Sequence, residues 1–85
     1  MLTAFTPTGM EQYIWWQEND RKILKRINSL IKDITRDPFE GIGKPEMLKH
    51  DLKGCWSRRI NDEHRIVYEV KEEIIIILAC KLHYD

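Results

Sequence analysis

A carboxylate, an imidazole, a phenol and three cations occur where one face of a sheet can gather them. Arg59 and Arg65 flank a short polar turn between two strand-like segments. Lys49 lies in the loop before them, and Glu46 sits in the same loop between Pro45 and Met47. His83 and Tyr84 follow the apolar segment that comes last in the sequence. If that segment pairs beside the Arg65 strand, these groups converge on one concave face. Such a set suits RNA cleavage by the substrate's own 2′-hydroxyl. A base takes the 2′ proton, an acid protonates the departing 5′ oxygen, and cations stabilise the crowded phosphate oxygens. Each proton transfer by a placed side chain is worth about 10²–10⁴-fold. Two together supply roughly 5–11 kcal/mol, and a fixed arginine adds charge stabilisation. Each residue taken alone also has a plainer reading. Glu46 is then a solvated loop carboxylate, Arg65 an ion-pair partner of Glu63 or Glu69, His83 an exposed side chain, and Tyr84 a ring at the core edge. Trp16 and Trp56 read as packing residues rather than base-stacking platforms.

Positioning these groups requires a defined set of elements. Leu2 to Phe5 reads as a short strand ended by Pro7. Thr8-x-x-Glu11 then has the form of a capping box that opens a helix, with Met10, Tyr13, Ile14 and Trp16 at roughly helical spacing. Asn19 or Asp20 caps a second helix whose Ile23, Ile27, Leu30, Ile31 and Ile34 form one stripe. The short break between them implies antiparallel neighbours. Lys22, Lys25, Arg26, Lys32 and Arg36 fall mostly off the stripe, as a solvated face. Asp37-Pro38 stops this helix. Residues 38–54 then hold three of the four glycines and two of the three prolines, which marks a loop; Phe39, Ile42, Met47 and Leu48 pin it to the body. Cys55 to Ile60, Arg65 to Val70 and Ile74 to Leu82 read as three strands of an antiparallel meander. Ile66, Tyr68 and Val70 share one face of the second. The unbroken Ile74–Leu78 run suits a central strand covered on both sides. The order β-α-α-β-β-β predicts an α+β sandwich over residues 1–85 as one domain, with two helices on a twisted antiparallel sheet and the first strand at or near an edge.

Bulk properties narrow the function classes. A chain of 85 residues buries only roughly 60–65% of its unfolded surface, so one compact core must carry the stability. The longest apolar run, Ile74 to Cys80, is far shorter than the roughly 20 residues a membrane helix needs. The opening MLTAFTPTGM lacks the form of a signal peptide, so the expected location is the cytoplasm. Cys55 and Cys80 are too few for a disulfide framework and lack metal-binding spacing, which reads as two reduced thiols. His50, His64 and His83 form no zinc pattern, and no cofactor is expected. Net charge is zero, but it is unevenly placed. Residues 1–20 carry three acids, for −3; residues 21–65 carry twelve Lys/Arg against seven Asp/Glu, for +5; residues 66–85 carry two against four, for −2. A local basic surface is therefore compatible with a neutral total.

Several segments together resemble one family. Tyr13-Ile-Trp-Trp-Gln-Glu, Pro38-Phe-Glu-Gly-Ile-Gly-Lys-Pro-Glu46-Met-Leu-Lys49-His50, Gly54-Cys-Trp-Ser-Arg-Arg59-Ile, Glu63-His-Arg65-Ile-Val-Tyr68 and Ala79-Cys-Lys-Leu-His83-Tyr84 are similar, in order and spacing, to the YoeB branch of the RelE toxin superfamily. The resemblance runs from about residue 10 to the end. It implies a microbial-RNase-like fold and a ribosome-dependent endoribonuclease, an mRNA interferase that cuts the codon in the ribosomal A site without a metal. Residue by residue, it makes Glu46 the general base, His83 the general acid and Arg65 the transition-state stabiliser. Lys49, His50, Arg59 and Tyr84 match positions that orient or bind RNA. The implied partners are a YefM/Phd-type antitoxin, the 70S ribosome with its mRNA, and a second copy in a homodimer; operator DNA is met only through the antitoxin complex, and no membrane is involved. The competing reading is a catalytically silent relative acting with its antitoxin as a co-repressor. A metal-dependent nuclease fits less well, because the sequence lacks a carboxylate cluster.

Two departures stand out. Leu2–Thr6 matches the family's start only loosely, as a structural strand can. The sequence also carries Asp85 after Tyr84, and its negative charge near His83 favours the protonated imidazole. It thereby helps keep His83 an acid while slightly weakening phosphate binding nearby, so removing Asp85 is expected to move the alkaline limb of cleavage to lower pH; unchanged cleavage across pH would discard that role.

Overall fold

The computed structural model describes residues 1–82. The chain runs β1 (Leu2–Phe5), α1 (Pro7–Asn19), α2 (Arg21–Arg36), β2 (Glu46–Met47), a single 3-10 turn at His50–Leu52, β3 (Cys55–Arg59), β4 (Arg65–Lys71) and β5 (Ile74–Ala79). The strands form one sheet in the order β1-β5-β4-β3-β2. The expected α+β architecture holds, with two details changed. β1 does take an edge, but it pairs parallel to β5, Leu2 opposite Ile74 through Phe5 opposite Ile77, so the sheet is mixed rather than wholly antiparallel. α1 and α2 supply the long crossover that brings the chain back into a sheet whose other neighbours are antiparallel. The loop segment around Glu46 also contains the two-residue strand β2, paired antiparallel to β3.

Local chemistry sets the helix boundaries. α1 starts one residue before the expected box. Thr6 is its cap, accepting the Gly9 amide at 3.0 Å, while Pro7 takes the first helical position. Proline suits that position because its missing N–H would have no partner there and its φ is already helical; this overrides the Thr8–Glu11 pattern. The expected Met10 and Ile14 lie exposed, because α1 approaches β5 through Gly9 and buries Trp16. Asp20 caps α2 by accepting the amides of Lys22 and Ile23, and Asp37 ends it. Ile27, Leu30 and Ile34 are wholly buried, each worth about 2 kcal/mol of apolar burial. They pack with Trp16, Ile60, Ile66, Tyr68, Ile75, Ile77 and Cys80 in the main core between helices and sheet.

One buried cation anchors the loop. Arg58 has no exposure. Its Nη1 lies 2.5 Å from Asp33 Oδ2 and also donates to the Ile42 carbonyl, Nη2 donates to the carbonyls of Asp37 and Glu40, and Nε donates to Tyr68 Oη at 3.2 Å. The Tyr68 hydroxyl in turn donates to Pro38 O at 2.6 Å. Gly41, at φ +140°, passes so close that a Cβ would strike the Asp33 carboxylate. The Ile42 amide and then the Arg58 guanidinium hold the Asp33 carboxyl at about 2. Because that lies below its ordinary value of 3.8, the stabilisation is complete above about pH 4 and is lost as pH falls toward 2. Asp33→Asn should lower stability by about 3 kcal/mol by stranding a buried cation. It should also flatten the acid limb of stability in urea titrations between about pH 2 and 5; a variant as stable as the wild type would show that the pair does not anchor the loop.

Candidate functional site

The period of two along a strand sorts β3 and β4 into two faces. Trp56 and Arg58 on β3 face the helices, together with Ile66, Tyr68 and Val70 on β4, which share one face as their alternation predicted. Cys55, Ser57 and Arg59, with Arg65, Val67 and Glu69, belong to the opposite face. Register then places Glu46 beside Ser57, Ser57 beside Val67, and Val67 beside Ala79, a row straight across that open face. Arg59 lies directly opposite Arg65 two residues further along. Glu46, Arg59 and Arg65 therefore share one face.

A second, smaller core floors this face. Cys55, Val67 and Ala79 are buried there, under Leu48, Leu52 and Leu78. A β-bulge makes this possible. Val67 pairs with Ala79 but Tyr68 pairs with Ile77, which leaves Leu78 as an extra residue. Leu78 and Ala79 then both serve the open face, and Cys80 returns to the main core.

The electrostatics of the face are unusual. Like charges directly opposite on a sheet repel, yet neither Arg59 nor Arg65 has a carboxylate partner among the described residues. The plainer reading of Arg65 as partner of Glu63 or Glu69 does not hold. Glu63 meets His64, and Glu69 lies 4.0 Å from Lys71. Arg65 is half-buried instead, its Nη1 donating to the carbonyls of Asn61 (2.7 Å) and His64 (3.1 Å) in the turn before it. Those bonds orient the guanidinium without neutralising it. Arg59 is exposed; its amide donates to Gly43 O at 2.6 Å and its carbonyl accepts from Arg26 Nη2 at 3.2 Å. Its backbone is thus fixed while its side chain stays open. Glu46 is exposed and forms no ion pair among the described residues.

Lys49 and His50 lie exposed on the connection from β2 to β3. His50 holds φ +59°, a left-handed conformation that costs a side-chain-bearing residue roughly 1–2 kcal/mol. His83 and Tyr84 fall outside the described residues. The structure thus brings together three of the seven expected site residues, places two on the adjoining connection, and does not describe the other two. Trp16 is buried and donates Nε1–H to Cys80 O, and Trp56 packs 5.0 Å from Phe39, so both are packing residues as read. Both cysteines are free and buried. Burial raises the Cys55 thiol, helped by Glu69, and pushes Cys80 up to about 12, so neither is a ready nucleophile. Sequence reasoning missed Arg58 and His64. Arg58 stands in β3 phase with Trp56 and Ile60, which was the available signal; nothing marked His64.

Two helices packed on one side of a mixed five-stranded sheet define a RelE-like toxin fold, and its open side bears an acid and two arginines without a carboxylate partner among the described residues. That class agrees with a solved YoeB/ParE toxin from Agrobacterium tumefaciens, superposable with a TM-score of 0.96 at 42% identity over 99% of this chain and all of that one. The family model for a YoeB-like toxin of bacterial type II toxin–antitoxin systems matches residues 5–84. Toxin YoeB of Escherichia coli K12 is 58% identical over 84 residues, covering 99% of this chain and all of that protein. Staphylococcus aureus YoeB has been solved as a dimer (TM-score 0.91, 50% identity, 99% of this chain and 98% of that one) and in a YoeB–YefM complex (0.90, 50%, 99% of each). The chain belongs to the YoeB family of type II toxins.

The facing arginines predict a trade between stability and ligand. Arg59→Gln should raise stability by about 0.5 kcal/mol at low salt by removing the repulsion, and the gain should shrink above about 0.5 M salt. Denaturant unfolding at two ionic strengths tests this; a destabilised variant would mean the two charges do not oppose each other.

Proposed function

We propose that this toxin is an mRNA interferase that cleaves the message in the ribosomal A site, with Glu46, Arg65 and His83 as its reacting groups. The observation that carries this reading is the pair Arg59 and Arg65, opposite in register and without a carboxylate partner among the described residues, on the face that also bears Glu46. A folded protein gains nothing from such a repulsive pair unless an anion comes to it, and a phosphodiester is a doubly shared anionic group that two guanidinium forks fit. Membership of a toxin family whose resemblance implies an mRNA interferase supports messenger RNA as the anion.

The reaction follows from the residue types. The Glu46 carboxylate takes the proton of the 2′-hydroxyl, and the 2′ oxygen attacks phosphorus. Arg65 stabilises the charge that builds on the equatorial oxygens. The bond from phosphorus to the 5′ oxygen breaks as His83 donates its proton there. The products are a 2′,3′-cyclic phosphate and a 5′-hydroxyl end. Lys49, His50, Arg59 and Tyr84 bind and orient the RNA. No step calls for a metal ion. The turn carbonyls that hold Arg65 support this reading, because a guanidinium fixed before substrate arrives need not reorganise during the reaction.

The partners follow from the relatives. A YefM/Phd-type antitoxin restrains this toxin, as the S. aureus homologue is found bound to YefM, and the toxin pairs as a homodimer like that same relative. Operator DNA is reached only through the antitoxin complex. The site of action is the cytoplasm, where the 70S ribosome and mRNA are; no helix among the described residues is long and apolar enough to cross a membrane.

With translating ribosomes and the purified protein, mapped 5′ ends should fall at A-site codons, carry 5′-hydroxyls, and persist in excess EDTA when ribosome integrity is controlled. Glu46→Ala, Arg65→Ala and His83→Ala should each slow cutting by about 10²-fold or more while the domain stays folded. Normal cutting by all three variants would refute the roles of base, stabiliser and acid.

A further inference from the structure

Beyond the end of β5 the regular ladder stops, and side chains take most of the main-chain hydrogen bonds. The amides of Cys80 (2.7 Å) and Lys81 (3.1 Å) both donate to Gln12 Oε1, and the Cys80 carbonyl accepts from Trp16 Nε1 at 2.9 Å. The Leu82 amide donates to Nδ1 of His64 at 2.6 Å, and the Leu82 carbonyl accepts from the Arg65 amide at 2.9 Å. Leu82 is exposed, yet its backbone sits at φ +66°, a left-handed conformation that a leucine adopts only when its surroundings hold it there. Two hydrogen bonds, to the neighbouring residues His64 and Arg65, do the holding.

His64 is built for that task. It is buried, and its ring stands edge-on to Trp16 with centroids 4.8 Å apart. The Asn61 side chain accepts the His64 amide at 2.7 Å, fixing the backbone from which the ring projects. Because Nδ1 accepts an N–H, it must carry the lone pair, and the ring proton therefore sits on Nε2. Nε2 lies 3.0 Å from Glu63 Oε1, the partner that favours this tautomer.

We propose that His64 is a positioning residue for RNA cleavage: Glu63 fixes its tautomer, and its Nδ1 latches Leu82, setting the point from which the chain continues into His83. This inference rests on the cleavage reading above. It also couples the transition-state stabiliser to the acid. The residue that latches Leu82 immediately precedes Arg65, so one turn fixes both the guanidinium and the root of the acid.

Two substitutions separate the acceptor from the packing. His64→Phe keeps a ring against Trp16 but offers no acceptor, whereas His64→Asn gives up the ring and keeps an oxygen where Nδ1 stood. With saturating ribosomes in single turnover, the Phe variant should cut at least about tenfold more slowly with ribosome affinity unchanged, and the Asn variant should recover most of that loss. Amide exchange of Leu82 should quicken by about tenfold or more in the Phe variant and little in the Asn variant. Wild-type cutting by the Phe variant, equal slowing in both variants, or an equally protected Leu82 amide would each overturn the latch. Should the Phe variant not fold, the Asn variant decides alone: a protected Leu82 supports the latch and an unprotected one refutes it. Failure of the wild type to cut ribosome-bound message would overturn the cleavage reading instead, and Leu82 exchange would still judge the latch.

Discussion

The Arg58 guanidinium, with no access to solvent, must find every partner inside the protein. It finds one carboxylate, one phenol and three main-chain carbonyls, and these come from α2, β4 and the loop after α2. Replacing such a buried pair with apolar side chains of similar volume is often neutral for stability, so its value lies elsewhere. The stretch from Asp37 to Ile42 has no ladder to join, and its carbonyls would otherwise need water. Arg58 draws three of them inward, and the Tyr68 hydroxyl takes a fourth, from Pro38. The loop is thereby pressed onto the sheet edge, where Gly43 O receives the Arg59 amide and the chain can enter β2 with Glu46 in register. The position of the candidate base thus depends on a cation on the other side of the sheet.

Arg58 and Arg59 show how the period of a strand divides labour between neighbours. They share a charge and differ by one residue, and pleating sends them to opposite faces. One is sealed against Asp33; the other is exposed opposite Arg65. The β-phase was legible in the sequence, since Trp56 and Ile60 flank Arg58 at spacing two. Hydropathy alone gives a buried arginine no mark, because its place depends on an acceptor set scattered over residues 33 to 42 and Tyr68. For the same reason the two helices, with the stripe and cap of α2, and the three long strands could be read directly, while the contacts that set the site could not. Parallel pairing of β1 was equally hidden: a four-residue strand can pair in either direction, and its partner β5 is the strand most distant from it in sequence. Thr6 prevailed over Thr8 as the cap because Pro7 fixes the entry of α1, a local rule that outranks the longer pattern.

The bulge at Leu78 solves a problem that small size imposes. A sheet with helices on one side leaves its other face in water, and a chain this short has no third layer to spare. By adding one residue to β5, the fold turns two successive side chains, Leu78 and Ala79, toward the open face and lets Leu48 and Leu52 cover them. The unbroken apolar run in β5 reflects this double duty. It also changes phase before the strand ends, so that Cys80 drops back among the helices and its main chain comes within reach of Gln12 and Trp16. A regular strand would present the opposite groups there.

The cost of the site is consequently confined to its rim. Two facing arginines and a left-handed His50 both oppose folding. Each is an exposed or half-buried feature, where solvent screening keeps the penalty of a charge small. The groups whose mispairing would be expensive, Arg58 and His64, are buried and fully partnered; no buried side-chain nitrogen or oxygen among the described residues lacks a hydrogen bond. Unfavourable charge is thus kept where an anion can reach and relieve it, and the interior that aims it is left without frustration. Had the exposed cation been at 58 and the sealed one at 59, the same composition would have produced neither a stable loop nor two cations facing each other on the open side of the sheet.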